Sequence, residues 1–244
     1  MVRVLVVEDT AVVREFLVYI LSSDPGILVV GTAGNGEEAL RAVESSRPDV
    51  ITMDVHMPRM NGLEATRRIM ETHPAPIVIV SGSSNLRELD WAFRAMEAGA
   101  LAVVERPRGL GHPDHEHTAA ELVQTVKLMS EVKVVRRWTR PRQKTAAVPA
   151  ASELKLPRAP AAVRLVAMGA STGGPPVLQK ILSGLAPDFP ASVLIVQHMA
   201  SGFIQGLVEW LSQSSALPIH LAQHGERMLP GHVYVAPDGF QLRV

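Results

Sequence analysis

The stretch Leu165-Val166-Ala167-Met168-Gly169-Ala170-Ser171-Thr172-Gly173-Gly174 decides how the second half of the chain is built. An apolar run ends in a turn of small residues, and Pro175-Pro176 then opens an apolar segment of helical period with Val177, Leu178, Ile181 and Leu182. The order is strand, tight turn, helix, with Ser171 at the tip. Gly169 and Gly173 flank the serine in a G-x-S-x-G pattern, in which small neighbours let a strained turn present a hydroxyl. A helix N-terminus behind Ser171 supplies unbonded backbone N–H groups. The Thr172 N–H is the natural donor to an oxyanion forming at the serine. The rival reading, a phosphate cradle, lacks the Lys-Ser/Thr of a P-loop and the full G-x-G-x-x-G.

Downstream, Val193–Val196 reads as the next strand and ends at Gln197-His198. Two strands of one βαβ unit are parallel. If they are neighbours they lie about 4.8 Å apart, and their carboxyl ends bring Ser171 and His198 within reach. A serine hydroxyl is a weak nucleophile until a base takes its proton. The expected catalytic set is therefore Ser171, His198 and the Thr172 N–H.

Upstream, five apolar runs alternate with helical patterns. Val4–Val7, Ile27–Val30, Val50–Met53, Ile77–Val80 and Leu101–Val104 read as strands. Stripes such as Val13, Phe16, Leu17, Ile20 and Leu21 read as helices between them, the last helix running from about Thr118 into the 130s. Asn35 with Glu38, and Asn61 with Glu64, have capping-box spacing. This alternation predicts an α/β fold, a five-stranded doubly wound parallel sheet. A second, incomplete doubly wound unit follows around Ser171. Ligands of such sheets gather beyond the carboxyl ends of the strands. The residues there are Glu8, Asp9, Asp54, Ser81 and Arg106. Clustered carboxylates need a positive partner, and an all-oxygen set suits a hard cation such as Mg²⁺.

The 244 residues suffice for two modest domains. Zero net charge gives no global case for nucleic acid or an anionic membrane. Without cysteine there is no disulfide, thiolate metal site or cysteine nucleophile. No apolar run approaches the roughly 20 residues of a membrane span, and acidic residues come too early for a signal peptide. The expectation is a cytoplasmic protein with no membrane insertion. Seven basic residues against one acid between Lys127 and Lys144, with Pro141 inside that run and Pro149, Pro157 and Pro160 beyond it, read as a solvated helix end running into an extended connector. The expected divisions are 1–130, a basic Pro/Ala-rich linker at 131–162, and 163–244.

Residues 1–130 resemble the receiver domain of two-component response regulators. The resemblance rests on Glu8-Asp9, on Asp54 in Met-Asp-Val-His-Met-Pro-Arg-Met-Asn-Gly, on Ser81 and on Arg106-Pro107. It implies that Asp54 accepts a phosphoryl group from a histidine kinase, and that Glu8, Asp9, Asp54 and the His56 backbone carbonyl hold Mg²⁺. It also implies that Ser81 and Arg106 contact the phosphoryl oxygens. Arg106 stands where the family has lysine, and Val103 where it has an aromatic switch.

The second module resembles the methylesterase domain of chemotaxis response regulators. The motifs are Gly-Ala-Ser-Thr-Gly-Gly, Val-Gln-His-Met and Gly225-Glu-Arg-Met-Leu-Pro-Gly-His-Val-Tyr-Val-Ala-Pro237. The resemblance implies hydrolysis of glutamate methyl esters on chemoreceptors, deamidation of receptor glutamines, no cofactor for the esterase, and a receiver that caps the site until phosphorylated. It also implies a third triad residue, an aspartate in a glycine-rich loop after the Val-Tyr-Val-Ala-Pro strand. Of the acids following His198 (Glu209, Glu226 and Asp238), none matches that motif, and Asp238 is the nearest substitute. The expected chain is thus a C-terminally truncated member. The alternative is a phospho-receiver whose degenerate esterase domain only docks.

Overall fold

The computed structural model describes residues 1–82, 86–134 and 164–244. The first module carries β1 (Val2–Val7), α1 (Ala11–Ser22), β2 (Ile27–Ala33), α2 (Gly36–Ser46), β3 (Val50–Met53), α3 (Gly62–Thr72), β4 (Ile77–Ser81), α4 (Leu86–Ala98), β5 (Ala102–Glu105) and α5 (His115–Ser130). Its sheet is parallel in the order β2-β1-β3-β4-β5. The central strands β3 and β4 and the second half of β1 are buried on both faces, as a doubly covered parallel sheet requires, while the edge strands β2 and β5 are partly exposed. Leu5, Val7, Ile51, Met53, Ile77 and Ile79 share one core with α2, α3 and α4. Val4, Val6, Val50, Val78, Val80 and Val104 share the other with α1 and α5.

Caps form where the sequence placed them, with one change. Asn35 Oδ1 accepts from the N–H groups of Glu37 and Glu38, both at 3.1 Å. The Glu38 carboxylate does not close a box on Asn35 N–H; it accepts from Gly34 N–H at 2.8 Å and from Asn35 Nδ2 at 2.7 Å. Asn61 Oδ1 accepts from Glu64 N–H at 2.9 Å, while the Glu64 carboxylate pairs with Arg67 and Arg68. The last helix of this module begins at His115, three residues before the expected Thr118.

The second module carries β6 (Leu165–Ala170), α6 (Gly174–Leu182), β7 (Ser192–Gln197), α7 (Ile204–Ser212), β8 (Ile219–Leu221) and β9 (Val233–Val235), in a parallel sheet of order β6-β7-β9-β8. Val166, Met168, Ala170, Val193, Ile195, Val233 and Val235 face α6 and α7. On the other face Ala167, Gly169 and Val196 are exposed. In α6 Pro175, Leu178 and Leu182 are buried, the two leucines one turn apart. Val177 and Ile181, expected in the same stripe, are exposed. Each lies about 100° round the helix from its buried neighbour, beyond the width of the contact. The expected linker at 131–162 falls almost wholly outside the described residues.

The two modules share one core. Helix α4 of the first module packs on α6 and α7. At that seam Phe93 and Trp210 stack with ring centroids 5.2 Å apart and planes at 20°. Both rings are buried, 0% and 3% exposed. Truncating either ring should cost about 3–5 kcal/mol, from lost transfer energy and the cavity left behind. Denaturant unfolding of Phe93→Ala, Trp210→Ala and the double variant is expected to show a combined loss clearly below the sum. Strict additivity would mean that the stack does not couple the modules.

Candidate functional site

Two groups of side chains gather at strand ends. In the first module, Glu8 and Asp9 follow β1, Asp54 follows β3, Ser81 ends β4 and Arg106 follows β5. Ligand atoms of Glu8, Asp9 and Asp54 all lie within 4.8 Å of one another. Glu8 is 1% and Asp54 7% exposed. Arg106 enters from β5, its Nη2 lying 3.0 Å from Glu8 Oε2 and 3.7 Å from Asp54 Oδ1. Its backbone N–H donates to the Ser81 carbonyl at 2.7 Å, so β4 and β5 hold both residues together. The ring of His56 packs edge-on to Trp91 of α4, centroids 5.8 Å apart.

Gly62 explains the close fold of the loop after Asp54. Its N–H donates to the Val55 carbonyl at 2.9 Å, and a Cβ there would sit 2.1 Å from the Asp54 carbonyl oxygen. No side chain fits that approach.

Burial pushes the Glu8 carboxyl from its ordinary 4.5 up to about 7, reinforced by the charge of Asp54 and opposed by Arg106. Burial also raises Asp54, with Arg106 again opposing. Three carboxylates against one guanidinium leave negative charge uncompensated. An oxygen-only donor set of this kind fits a hard divalent cation such as Mg²⁺.

In the second module, β6 and β7 are adjacent and parallel, in a register that sets Ala170 against Gln197. The ladder continues one residue further, as His198 N–H donates to the Ala170 carbonyl at 2.8 Å. Ser171 and His198 therefore leave neighbouring strands side by side, with Ser171 Oγ 3.2 Å from His198 Nδ1. With the ring proton on Nε2, the serine hydroxyl donates to Nδ1. The helix N-terminus behind Ser171 is less open than its position implies. Gly173 is the cap residue at φ +72°, and Gly174 N–H is already spent on the Ser171 carbonyl at 2.8 Å.

Asp238 does not orient His198. Its Oδ2 accepts from Gly202 N–H at 2.8 Å, tying the loop after His198 to the one after β9. Glu209 accepts from Gln205 Nε2, and Glu226 pairs with His220 at 2.8 Å. Those hydrogen bonds draw all three downstream acids elsewhere.

A cavity of about 440 Å³ joins the two modules. Ser171, Thr172, Gln197 and His198 line one side; Met96, Val103, Thr125 and Met129 of the first module line the other. Val103, at the position of the aromatic switch, thus faces the serine turn across the cavity. The sequence reading passed over Gln197. Its signal was parity: it falls in step with Val193 and Ile195 on the inward face of β7.

Comparison with known proteins covers both modules. The family model for the response regulator receiver domain matches residues 4–112, and that for CheB methylesterase matches residues 166–244. A protein-glutamate methylesterase/protein-glutamine glutaminase of Nitrosospira multiformis is 59% identical, over 100% of this chain and 68% of that protein. One from Geobacter metallireducens is 58% identical, over 100% of this chain and 70% of that protein. One from Syntrophus aciditrophicus is 53% identical, over 100% and 69%.

The raised Glu8 sets a pH dependence. A carboxyl whose folded value lies above its unfolded one contributes stability below about 4.5, and that contribution is lost as pH rises through about 7. Glu8→Gln removes the buried charge, so in metal-free buffer its Tm should exceed wild type by a few degrees at pH 8. Near pH 5 the two should converge. Mg²⁺ competes with that proton, so wild-type Mg²⁺ affinity should rise from pH 6 to pH 8. Thermal scans and Mg²⁺ titration across this range check both; a Tm difference independent of pH contradicts the assignment.

Proposed function

The chain belongs to the protein-glutamate methylesterase/protein-glutamine glutaminase family, and we propose that it is a phosphorylation-regulated ester hydrolase acting on glutamate methyl esters of chemoreceptors in two-component chemotaxis signalling. The amide of receptor glutamine is its second substrate, and it works in the cytoplasm; among the described residues no helix is long and apolar enough to cross a membrane. The observation that carries this reading is the 3.2 Å approach of Ser171 Oγ to His198 Nδ1, inside a cavity whose far wall is the receiver.

Ser171 Oγ attacks the ester carbonyl while His198 takes its proton. The oxygen that becomes negative meets the Thr172 N–H. His198 then returns the proton to the leaving methoxide, and methanol departs. Water repeats the sequence and releases the glutamate, with the Ser171 proton restored.

In the receiver, a histidine kinase supplies the phosphoryl group and Asp54 accepts it. Glu8, Asp9, Asp54 and the His56 carbonyl would hold Mg²⁺, which when bound offsets the negative charge of the phosphoryl oxygens. Ser81 and Arg106 contact those oxygens. In taking up that role Arg106 leaves Glu8, and β5 carries the change, since it also bears Val103 on the cavity wall. Residues 1–130 act as the switch, 131–162 as the tether and 163–244 as the catalytic unit.

The test measures methanol release from membranes carrying methylated receptor, with Mg²⁺ and with or without acetyl phosphate. Release should rise with the phosphodonor, and Asp54→Ala should lose that rise. Ser171→Ala should abolish release and labelling by a fluorophosphonate, and His198→Ala should slow labelling about 10³-fold or more. Release surviving Ser171→Ala, or a wild-type serine that takes no label, overturns the reading.

A further inference from the structure

Gln197 is 8% exposed and sits between the two catalytic turns. Its Nε2 donates to the Ser171 carbonyl at 2.9 Å and to the His198 carbonyl at 2.8 Å. Two N–H groups meet two acceptors, so the orientation of the amide is fixed: turned over, its oxygen would face two carbonyl oxygens. The other end gains nothing. Oε1 is buried without a hydrogen-bond partner. A buried acceptor left unpaired costs about 1–3 kcal/mol, which a methionine or leucine here would avoid. The amide therefore carries a stability penalty at one end while its other end grips the nucleophile and the base.

The backbone is shaped around this grip. A Cβ at Gly174 would lie 2.2 Å from Gln197 Oε1 and 2.8 Å from Ala170 Cβ. The second glycine of the Thr-Gly-Gly run thus makes room for the amide. Its φ is not among the positive ones, in contrast to Gly173.

We propose that Gln197 is a positioning residue for the oxyanion donor, through the peptide plane it holds. The Ser171 C=O and the Thr172 N–H belong to one planar trans peptide and point in opposite directions. Pinning the Ser171 oxygen to Gln197 Nε2 and to Gly174 N–H fixes where the Thr172 N–H points. The second bond, to the His198 carbonyl, locks the base's own turn to the same side chain. One amide thus sets the distance between nucleophile and base and the direction of the donor. The inference rests on the reading of Ser171 as nucleophile.

The test is single-turnover labelling of the full chain with a small fluorophosphonate. Ser171 Oγ bonds to phosphorus, fluoride leaves, the proton goes to His198, and the phosphonyl oxygen lies where the oxyanion would. Removing an oxyanion donor costs about 10²–10³ in rate, and misdirecting one should cost about 10–100-fold. Gln197→Met, of similar shape and without N–H groups, should lower kinact by that factor and leave KI within about twofold. Gln197→Glu, which keeps the outline of glutamine, should slow labelling in the same way. A purely structural role predicts the opposite pattern: a smaller fraction of labelled protein, in step with the folded fraction seen by circular dichroism, at unchanged kinact. That pattern, or kinact within twofold of wild type in both variants, overturns the proposal. Labelling that persists in Ser171→Ala instead overturns the nucleophile reading, so the two failures are distinguishable.

Discussion

Parallel pairing of β6 with β7 is the constraint on which the second module's chemistry depends. In a parallel ladder both strands end at the same edge, and the register decides which residues leave them together. Ala170 lies opposite Gln197, and His198 N–H still bonds the Ala170 carbonyl. Serine and histidine therefore meet because two backbones stop in step. A slip of one residue would turn Gln197 to the exposed face that Val196 now occupies, bury Val196 in its place, and leave the nucleophile without a base. The same rule places Glu8, Asp54, Ser81 and Arg106 at one edge of the first sheet, where low dielectric and unlike charges do the rest.

The two edges are linked through packing rather than through the connector. Helix α4 touches the neighbourhood of Asp54 by Trp91 against His56, and the esterase helices by Phe93 against Trp210. Strand β5 carries Arg106 just past one end and Val103 on the cavity wall. Packed interiors move between discrete arrangements instead of bending smoothly. A charge change at Asp54 thus has two rigid elements on which to act. Both end against the part of the molecule that holds Ser171.

Much of this was legible in the sequence, and the rest was hidden for physical reasons. Strand ends were readable because apolar runs stop abruptly at charged or hydroxyl residues: Glu8, Asp54 and Ser81 are each the first polar residue after such a run or end it. Caps at Asn35 and Asn61 were readable because one side chain satisfies local backbone donors. Val177 and Ile181 misled because periodicity reports an apolar face and not the width of what covers it. Gln197 escaped because glutamine at a strand end looks like the start of a loop. Only the partner carbonyls give it a task, and that of Ser171, 26 residues earlier, is brought alongside by strand pairing. Asp238 failed as a partner for His198 for the same reason, since its bond to Gly202 depends on where two loops meet.

The Phe93–Trp210 stack gives the molecule an optical property. An indole emits at shorter wavelength in an apolar, dry setting than in water, and Trp210 lies between two domains with its ring covered by a receiver phenyl group. Parting the domains would wet that indole and strip away the neighbouring ring. Emission colour is thus a label-free gauge of whether the interface is shut. Trp91, half-buried beside His56, lies only two residues from Phe93 but on the opposite side of α4 from that seam, and would report the surroundings of the acidic cluster instead. Two of the protein's three tryptophans, on or against one helix, thus carry separate signals for the event that starts its response and for the movement that completes it.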